Sequence, residues 1–204
     1  LDLAVRAGAT DPATRIPFTV LPGIQICPVL AITAGVHGYE FPSILAAQTL
    51  LSRIDPRTLT GTVVLVRLVH VDAFEGRTPF VNPHDRKNLN RVFPGRIDGT
   101  QSERIAHVLS EEVIRRCDLL VEGHSGDGTE WLEPFVGVYG GELAAAQYPT
   151  ARRMGLALGF RNIVVFPMNS RVQIDGHRSL NRHAVAEGKP TVLIEIGENG
   201  RSDA

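Results

Sequence analysis

The sequence predicts an α/β fold: a mixed, largely parallel sheet with helices on both faces. Three observations predict it. Short β-branched apolar runs alternate with segments of helical period along the 204 residues, the pattern of strands joined by helical crossovers. The runs at 29–36, 118–122 and 191–196 are short, apolar and punctuated by glycine, which reads as buried strands. Their downstream ends carry His37, His124 and Glu195, and in open α/β sheets ligands collect outside the carboxyl ends of the strands.

Residues 1–24 contain three prolines and little apolar period, and only 16–21 reads as a strand, at a sheet edge. After the 29–36 strand, Pro42 stands where a first helical turn tolerates proline, opening a helix over 41–53 that Asp55-Pro56 ends. Residues 62–69 form a second β-branched strand. From 70 to 99 no period survives, so the stretch is predicted as one long loop. Loops of that length in compact domains are usually functional or disordered. The mixture of Asn88, Leu89, Asn90, Arg91 and Phe93 is not a linker's composition and favours function. Residues 101–116 follow as an amphipathic helix. Beyond the 118–122 strand come a strand at 135–139, a helix over 142–158 closed by Gly159, a strand at 163–166, a helix over 179–187 ended by Gly188, and the 191–196 strand.

Composition narrows the function classes. One domain, 1–204, accounts for the length, with a core large enough to hold a buried site. A net charge of -1 gives no electrostatic reason to expect nucleic acid or an anionic membrane. No run approaches a membrane span. A small molecule is the expected partner, and self-association is the one protein contact left open. Positive charge is nearly all Arg, with Lys87 and Lys189 as the lysines, so a fixed cation in a site is a guanidinium suited to carboxylate. Cys27 and Cys117, far apart in sequence, suggest a reducing, cytoplasmic location. The chain opens on Leu1 and shows no signal-peptide pattern.

His37 and Glu40, three residues apart, can face one point if the chain turns helical there. With His124 they make two imidazoles and a carboxylate, with one position left for water: the donor set of a catalytic zinc. The plain alternative for His124 is a turn residue bonded to backbone. His70, His84, His107, His177 and His183 are assigned surface or structural roles. Glu195 lies inside an apolar strand, where an unpartnered carboxylate costs several kcal/mol. Its partner is either a metal-activated water, whose proton it takes and passes to a leaving amine, or one of the arginines. Glu198, past Gly197, reads as an exposed loop acid. Asn90 and Arg91 can present an amide and a planar fork to a substrate carboxylate, or be a helix cap and a surface arginine. A serine-hydrolase elbow is the rival: Gly123-His124-Ser125-Gly126 has Asp127 where that turn wants glycine, with Asp175 and His177 or His183 as the remaining triad members.

Four stretches, AGVHGYE, NLNRVFPG, LLVEGHSGD and VLIEIG, in that order resemble the succinylglutamate desuccinylase and aspartoacylase family, deacylases related to the zinc carboxypeptidases. The resemblance runs from about Val29 to Gly197 and implies a zinc-carboxypeptidase-like fold. It implies one zinc ion on His37, Glu40 and His124, with Glu195 activating water and Asn90 and Arg91 holding the substrate carboxylate. The family also uses an arginine to polarise the scissile carbonyl, and Arg77 or Arg86 matches, Arg77 preferred. The implied reaction is hydrolysis of the amide in a small N-acylated amino acid. The alternatives are a carboxypeptidase acting on peptides and a non-catalytic metal-binding domain. Two departures stand out. Glu122 replaces the family's Asp two residues before the third ligand, and the family's β-rich C-terminal portion is absent from this sequence, which implies a more open pocket.

Overall fold

A computed structural model describes residues 1–126, 129–175 and 178–197. Eight strands form one sheet: β1 (Asp2–Val5), β2 (Thr14–Pro22), β3 (Val29–Ala34), β4 (Thr62–Val66), β5 (Leu119–His124), β6 (Phe135–Gly140), β7 (Ile163–Pro167) and β8 (Thr191–Glu195). Their order is β1-β2-β4-β3-β5-β8-β6-β7. The central β4-β3-β5-β8 block is parallel, and so is the β6–β7 pair, while β1–β2, β2–β4 and β6–β8 are antiparallel. The sheet is therefore mixed with a parallel centre.

Alternate residues of a strand feed opposite faces. Ala31 and Leu120 pack with Ile105 and Leu109 of α3 (Gln101–Leu109) and with Leu180 and Ala184 of α6 (Leu180–Ala186). Their neighbours Ile32 and Val121 face the other way, toward α1 (Phe41–Arg53) and α4 (Tyr148–Ala157). Helices thus cover both faces, and β3, β5 and β8 release their carboxyl ends at one edge.

Several elements depart from the sequence reading for local reasons. The 16–21 strand is β2, and it lies inside the sheet because β1, only four residues long, pairs outside it. The 29–36 strand ends at Ala34, where Gly35 takes φ +70°. The 62–69 strand ends at Val66. The 70–99 stretch contains α2 (Val71–Glu75) and a 3-10 turn, Leu89–Arg91; both are too short to show a period. α2 packs against Gly38, where a Cβ would stand 2.5 Å from the Ala73 carbonyl carbon. The 101–116 helix leaves α geometry at Ser110 and continues as a π segment to Ile114. The 142–158 helix is divided: a 3-10 turn spans Glu142–Ala144, and α4 begins at Tyr148, because Pro149 is tolerated only in a first turn. A fifth helix, α5 (Arg171–Asp175), is an addition.

The long loop is held down rather than free. Asn82 Nδ2 donates to Gln101 Oε1 at 2.7 Å, and Asp85 accepts from the Ser102 backbone and hydroxyl at 2.8 and 2.9 Å. Leu89 and Phe93 are buried in the core. In the same first turn of α3, buried Arg104 pairs with Asp11, whose carboxylate is buried, and donates to the carbonyls of Arg6 and Gly99. Removing one member of a buried pair strands the other. Arg104→Met is expected to lower stability by about 3 kcal/mol or more, read as a fall in the urea midpoint. Asp11→Asn should cost less, since the amide still accepts.

Candidate metal centre

Four side chains from three segments meet at the sheet edge. Glu40 is the residue before α1, and the turn between β3 and α1 faces it toward His37, whose Nδ1 lies 2.7 Å from Glu40 Oε1. His70 supports that turn: its Nδ1 is 3.3 Å from the Val36 carbonyl, and burial pushes the fully enclosed imidazole down to about 4. His124 ends β5 and puts Nδ1 2.9 Å from the other Glu40 oxygen. Glu195 ends β8 in register with His124. Parallel pairing therefore sets it beside the cluster.

The outer nitrogens are also engaged. His37 Nε2 lies 3.2 Å from Asn88 Oδ1, and His124 Nε2 lies 2.9 Å from Glu122 Oε1. Amide and carboxylate oxygens can only accept, so both rings carry hydrogen on Nε2. The two Nδ1 atoms and the Glu40 carboxylate then turn toward one another. They are buried, and their donor atoms lie within 4.8 Å of one another. Converging lone pairs need a positive charge between them, supplied either by a proton or by a cation.

The titration of the cluster carries the same demand. Burial works to raise Glu40, but the fields and hydrogen bonds of His124 and His37 hold it at about 2. Burial works to lower His124, yet Glu40 and Glu122 raise it well above the ordinary imidazole value. Apart from the contact with His124, neither oxygen of fully buried Glu122 has a partner among the described residues. The donor set, the tautomers and this surplus of buried negative charge fit a divalent first-row ion, with zinc favoured by two imidazoles and one carboxylate. Loading it requires His124 to release its Nδ1 proton. The Glu122–His124 contact sets the ring's orientation, so Glu122→Gln should weaken zinc affinity by about tenfold to a hundredfold, and Glu122→Asp by less. Competitive zinc titration with a chromophoric chelator reads this.

Glu195 has a different environment. Burial raises its carboxyl to about 7, His124 pulls it down, and Glu40 and Glu122 push it up. Among the described residues no arginine pairs with it. The ion-pair reading of Glu195 thus has no partner among the described residues, and Arg201 lies outside them.

A cavity of about 420 Å³ opens over the cluster, lined by His37, Glu40, His124 and Glu195 together with Asn90, Arg91, Ser125, Tyr139, Asn181 and Arg182, among others. A larger hollow of about 500 Å³ beside β6 and β7 has no carboxylate, imidazole or thiol on its walls, so the chemistry belongs to the smaller one. Asn90 is buried; its Oδ1 accepts from the Leu180 backbone N–H at 2.8 Å, which ties α6 to the 88–91 turn. Its Nδ2 stands 3.4 Å from His124 Nε2, a packing contact, since both nitrogens carry hydrogen. Arg91 donates from Nη1 to the Asn90 carbonyl at 2.7 Å.

Arg77 is elsewhere: exposed, with its guanidinium 5.7 Å over the Phe74 ring. Arg86 is exposed as well and does not line the cavity. Among the described residues the hydroxyl of buried Ser125 has no hydrogen-bond partner, and so no activating base. Irregular chain, not a helix, occupies 129–134 after it. The elbow reading loses both its supports, while Asp127, His177 and Glu198 lie outside the described residues. Sequence reasoning named Asn88 in the functional loop without a role and missed Tyr139, Asn181 and Arg182. Arg182 could have been singled out only by knowing that α6 packs beside β5.

A family model described as the succinylglutamate desuccinylase/aspartoacylase catalytic domain matches residues 27–204. The sequence is 30% identical over 191 residues to N-alpha-acetyl-L-2,4-diaminobutyric acid deacetylase of Halomonas elongata, covering 93% of this chain and 53% of the relative. The chain thus spans about half that relative's length. Its backbone superposes on the product-bound ectoine utilization protein EutE of Ruegeria pomeroyi with a TM-score of 0.84 at 29% identity, covering 100% of this chain and 60% of the other. It superposes on a succinylglutamate desuccinylase from Silicibacter sp. TM1040 with a TM-score of 0.82 at 27% identity, again covering 100% and 60%. A family match over most of the chain, on a fold that gathers two histidines and two glutamates at one sheet edge, means that this chain belongs to the succinylglutamate desuccinylase/aspartoacylase family.

Proposed function

We propose that residues 1–204 form the catalytic domain of a zinc-dependent deacylase that hydrolyses the amide bond of a small N-acylated amino acid. The observation that carries the reading is the register of β5 and β8, which sets Glu195 beside a buried His37, Glu40 and His124 cluster within one cavity. His37 Nδ1, Glu40 and His124 Nδ1 would hold the ion, which when bound supplies a Lewis acid and lowers the pKa of water.

The chain's own groups do the rest. Glu195, near 7 and half-buried, takes a proton from the attacking water and returns it to the departing amine nitrogen. Asn88 and Glu122 hold the two imidazoles in the ligating tautomer. Arg91, half in the cavity and anchored on the Asn90 carbonyl, binds the substrate carboxylate. Among the described residues no helix is long and apolar enough to cross a membrane.

A panel of N-acetyl, N-succinyl and dipeptide substrates, run with and without added zinc, tests the proposal. Zinc-dependent release of free amino acid from an N-acyl substrate is the expected outcome. Cleavage of dipeptides alone would move the protein to a peptidase, and inertness toward the whole panel would contradict the deacylase reading.

A further inference from the structure

We infer that Arg182, on α6, is a specificity-determining residue that shares one ligand carboxylate with Arg91. The inference takes the ligand's chemistry from the proposed deacylase function. Its geometry stands separately.

Arg91 and Arg182 come from different segments and line the same cavity as His124 and Glu195. Each guanidinium is anchored through one nitrogen to a neutral carbonyl: Arg91 Nη1 to Asn90, Arg182 Nη1 to Gln173. Arg182 also lies 5.5 Å over the Tyr139 ring. The Tyr139 hydroxyl donates to Asn181 Oδ1 at 2.5 Å and offers its oxygen to Arg182 as a neutral acceptor, which leaves the guanidinium charge uncompensated. Among the described residues neither arginine has a carboxylate partner, in contrast to Arg104, which is paired with Asp11. Arg182 Nε is buried with no hydrogen-bond partner among the described residues.

Two guanidiniums facing one cavity repel each other. Burial, and after it the field of Arg182, lower Arg91. A buried N–H without an acceptor loses its hydration with nothing in return. A single carboxylate removes both penalties, since its two oxygens offer about four acceptor sites and suit planar N–H forks. That carboxylate can come from the amino-acid half of the substrate or from a dicarboxylic acyl half.

The test is binding, measured by calorimetry on zinc-loaded Glu195→Gln protein so that nothing turns over. The probes are N-acetyl-L-alanine, N-succinyl-L-alaninamide and the uncharged N-acetyl-L-alaninamide. One of the two anions is expected to bind at least about tenfold tighter than the neutral probe, and which one identifies the source of the carboxylate. Arg182→Gln, which keeps a donor for the Gln173 carbonyl without the charge, should cut that ratio by about tenfold, and Arg182→Met should do the same. Arg182→Lys should restore part of it. Adding Arg91→Met to Arg182→Gln should cost little more, because both act on one group.

A ratio unchanged by both neutral variants overturns the inference. So does an equal loss for charged and neutral probes, which is what a purely structural Arg182 would produce, and so does a parent protein that ignores the carboxylate. Failure of the deacylase reading is a separate result: the Glu195 protein would bind the preferred anion with the full ratio and not hydrolyse it.

Discussion

Glu195→Gln is expected to lower kcat by about a thousandfold and to leave zinc binding unchanged. The magnitude is what a positioned general base is worth, and the expected retention follows from the geometry, since the proposed metal donors are His37, Glu40 and His124. Glutamine keeps the shape and cannot take a proton. The pH dependence has a definite sign. The base works as the carboxylate, so kcat/KM falls about tenfold per unit once pH drops below the Glu195 pKa. In the metal-free protein that pKa is about 7; a bound cation adds to the lowering by His124 and His37, placing the limb of the loaded protein at or below 7.

The same substitution acts oppositely on stability. The folded-state carboxyl is raised from 4.5 to about 7, so its contribution is fully present below pH 4.5 and is lost as pH rises through 7. Glu195→Gln should therefore stabilise metal-free protein at pH 8 by about 2 to 3 kcal/mol, with the gain vanishing near pH 4. Urea unfolding in the presence of a chelator at the two pH values reads this. A variant that is less active and more stable is the signature of a functional carboxylate held where burial disfavours it.

Glu40→Gln is expected to abolish zinc binding in practical terms, weakening it on the order of a thousandfold. Glu40 stands between both histidines, 2.7 and 2.9 Å from their Nδ1 atoms, so its loss removes one donor and the charge that organises the other two. Its folded-state carboxyl is depressed to about 2. That contribution is present above pH 4.5 and lost as pH falls from 4.5 toward 2. In metal-free protein Glu40→Gln should cost about 3 kcal/mol at pH 7 and almost nothing near pH 2. Glu40 and Glu195, both carboxylates on the wall of one cavity, thus shift stability in opposite directions at neutral pH.

What the sequence made legible was whatever depends on local chemistry. Pro42 opens α1 and Arg53 closes it at the expected residues. Gly159 and Gly188 take the positive φ that their places after α4 and α6 require. The β-branched runs became β3, β5 and β8, and with their ends came His37, His124 and Glu195. Elements stabilised by a distant partner were not legible. β1 exists because β2 offers an edge, and α2 because it rests on Gly38. The division around Pro149 was legible and passed over, since proline inside a helical pattern marks a start.

The cavity wall divides in the same way. Asn90 and Arg91 stand out as an unusual pair in a loop, yet packing alone decides that Asn90 holds α6 at Leu180 while Arg91 remains on the cavity. Arg77 matched a family role by its place in the loop. In the fold, its positive φ and the Phe74 ring turn it outward. Arg182 drew no notice as one charge on an amphipathic helix, and α6 brings it to the cavity.

The central claim is that His37, Glu40 and His124 hold one divalent cation, and stoichiometric zinc titration of the metal-free protein by calorimetry tests it most directly. The expected result is one zinc per chain, absent when His37 and His124 are both replaced by alanine and retained when Glu195 becomes glutamine. The same single zinc bound by the double-alanine protein would contradict the account.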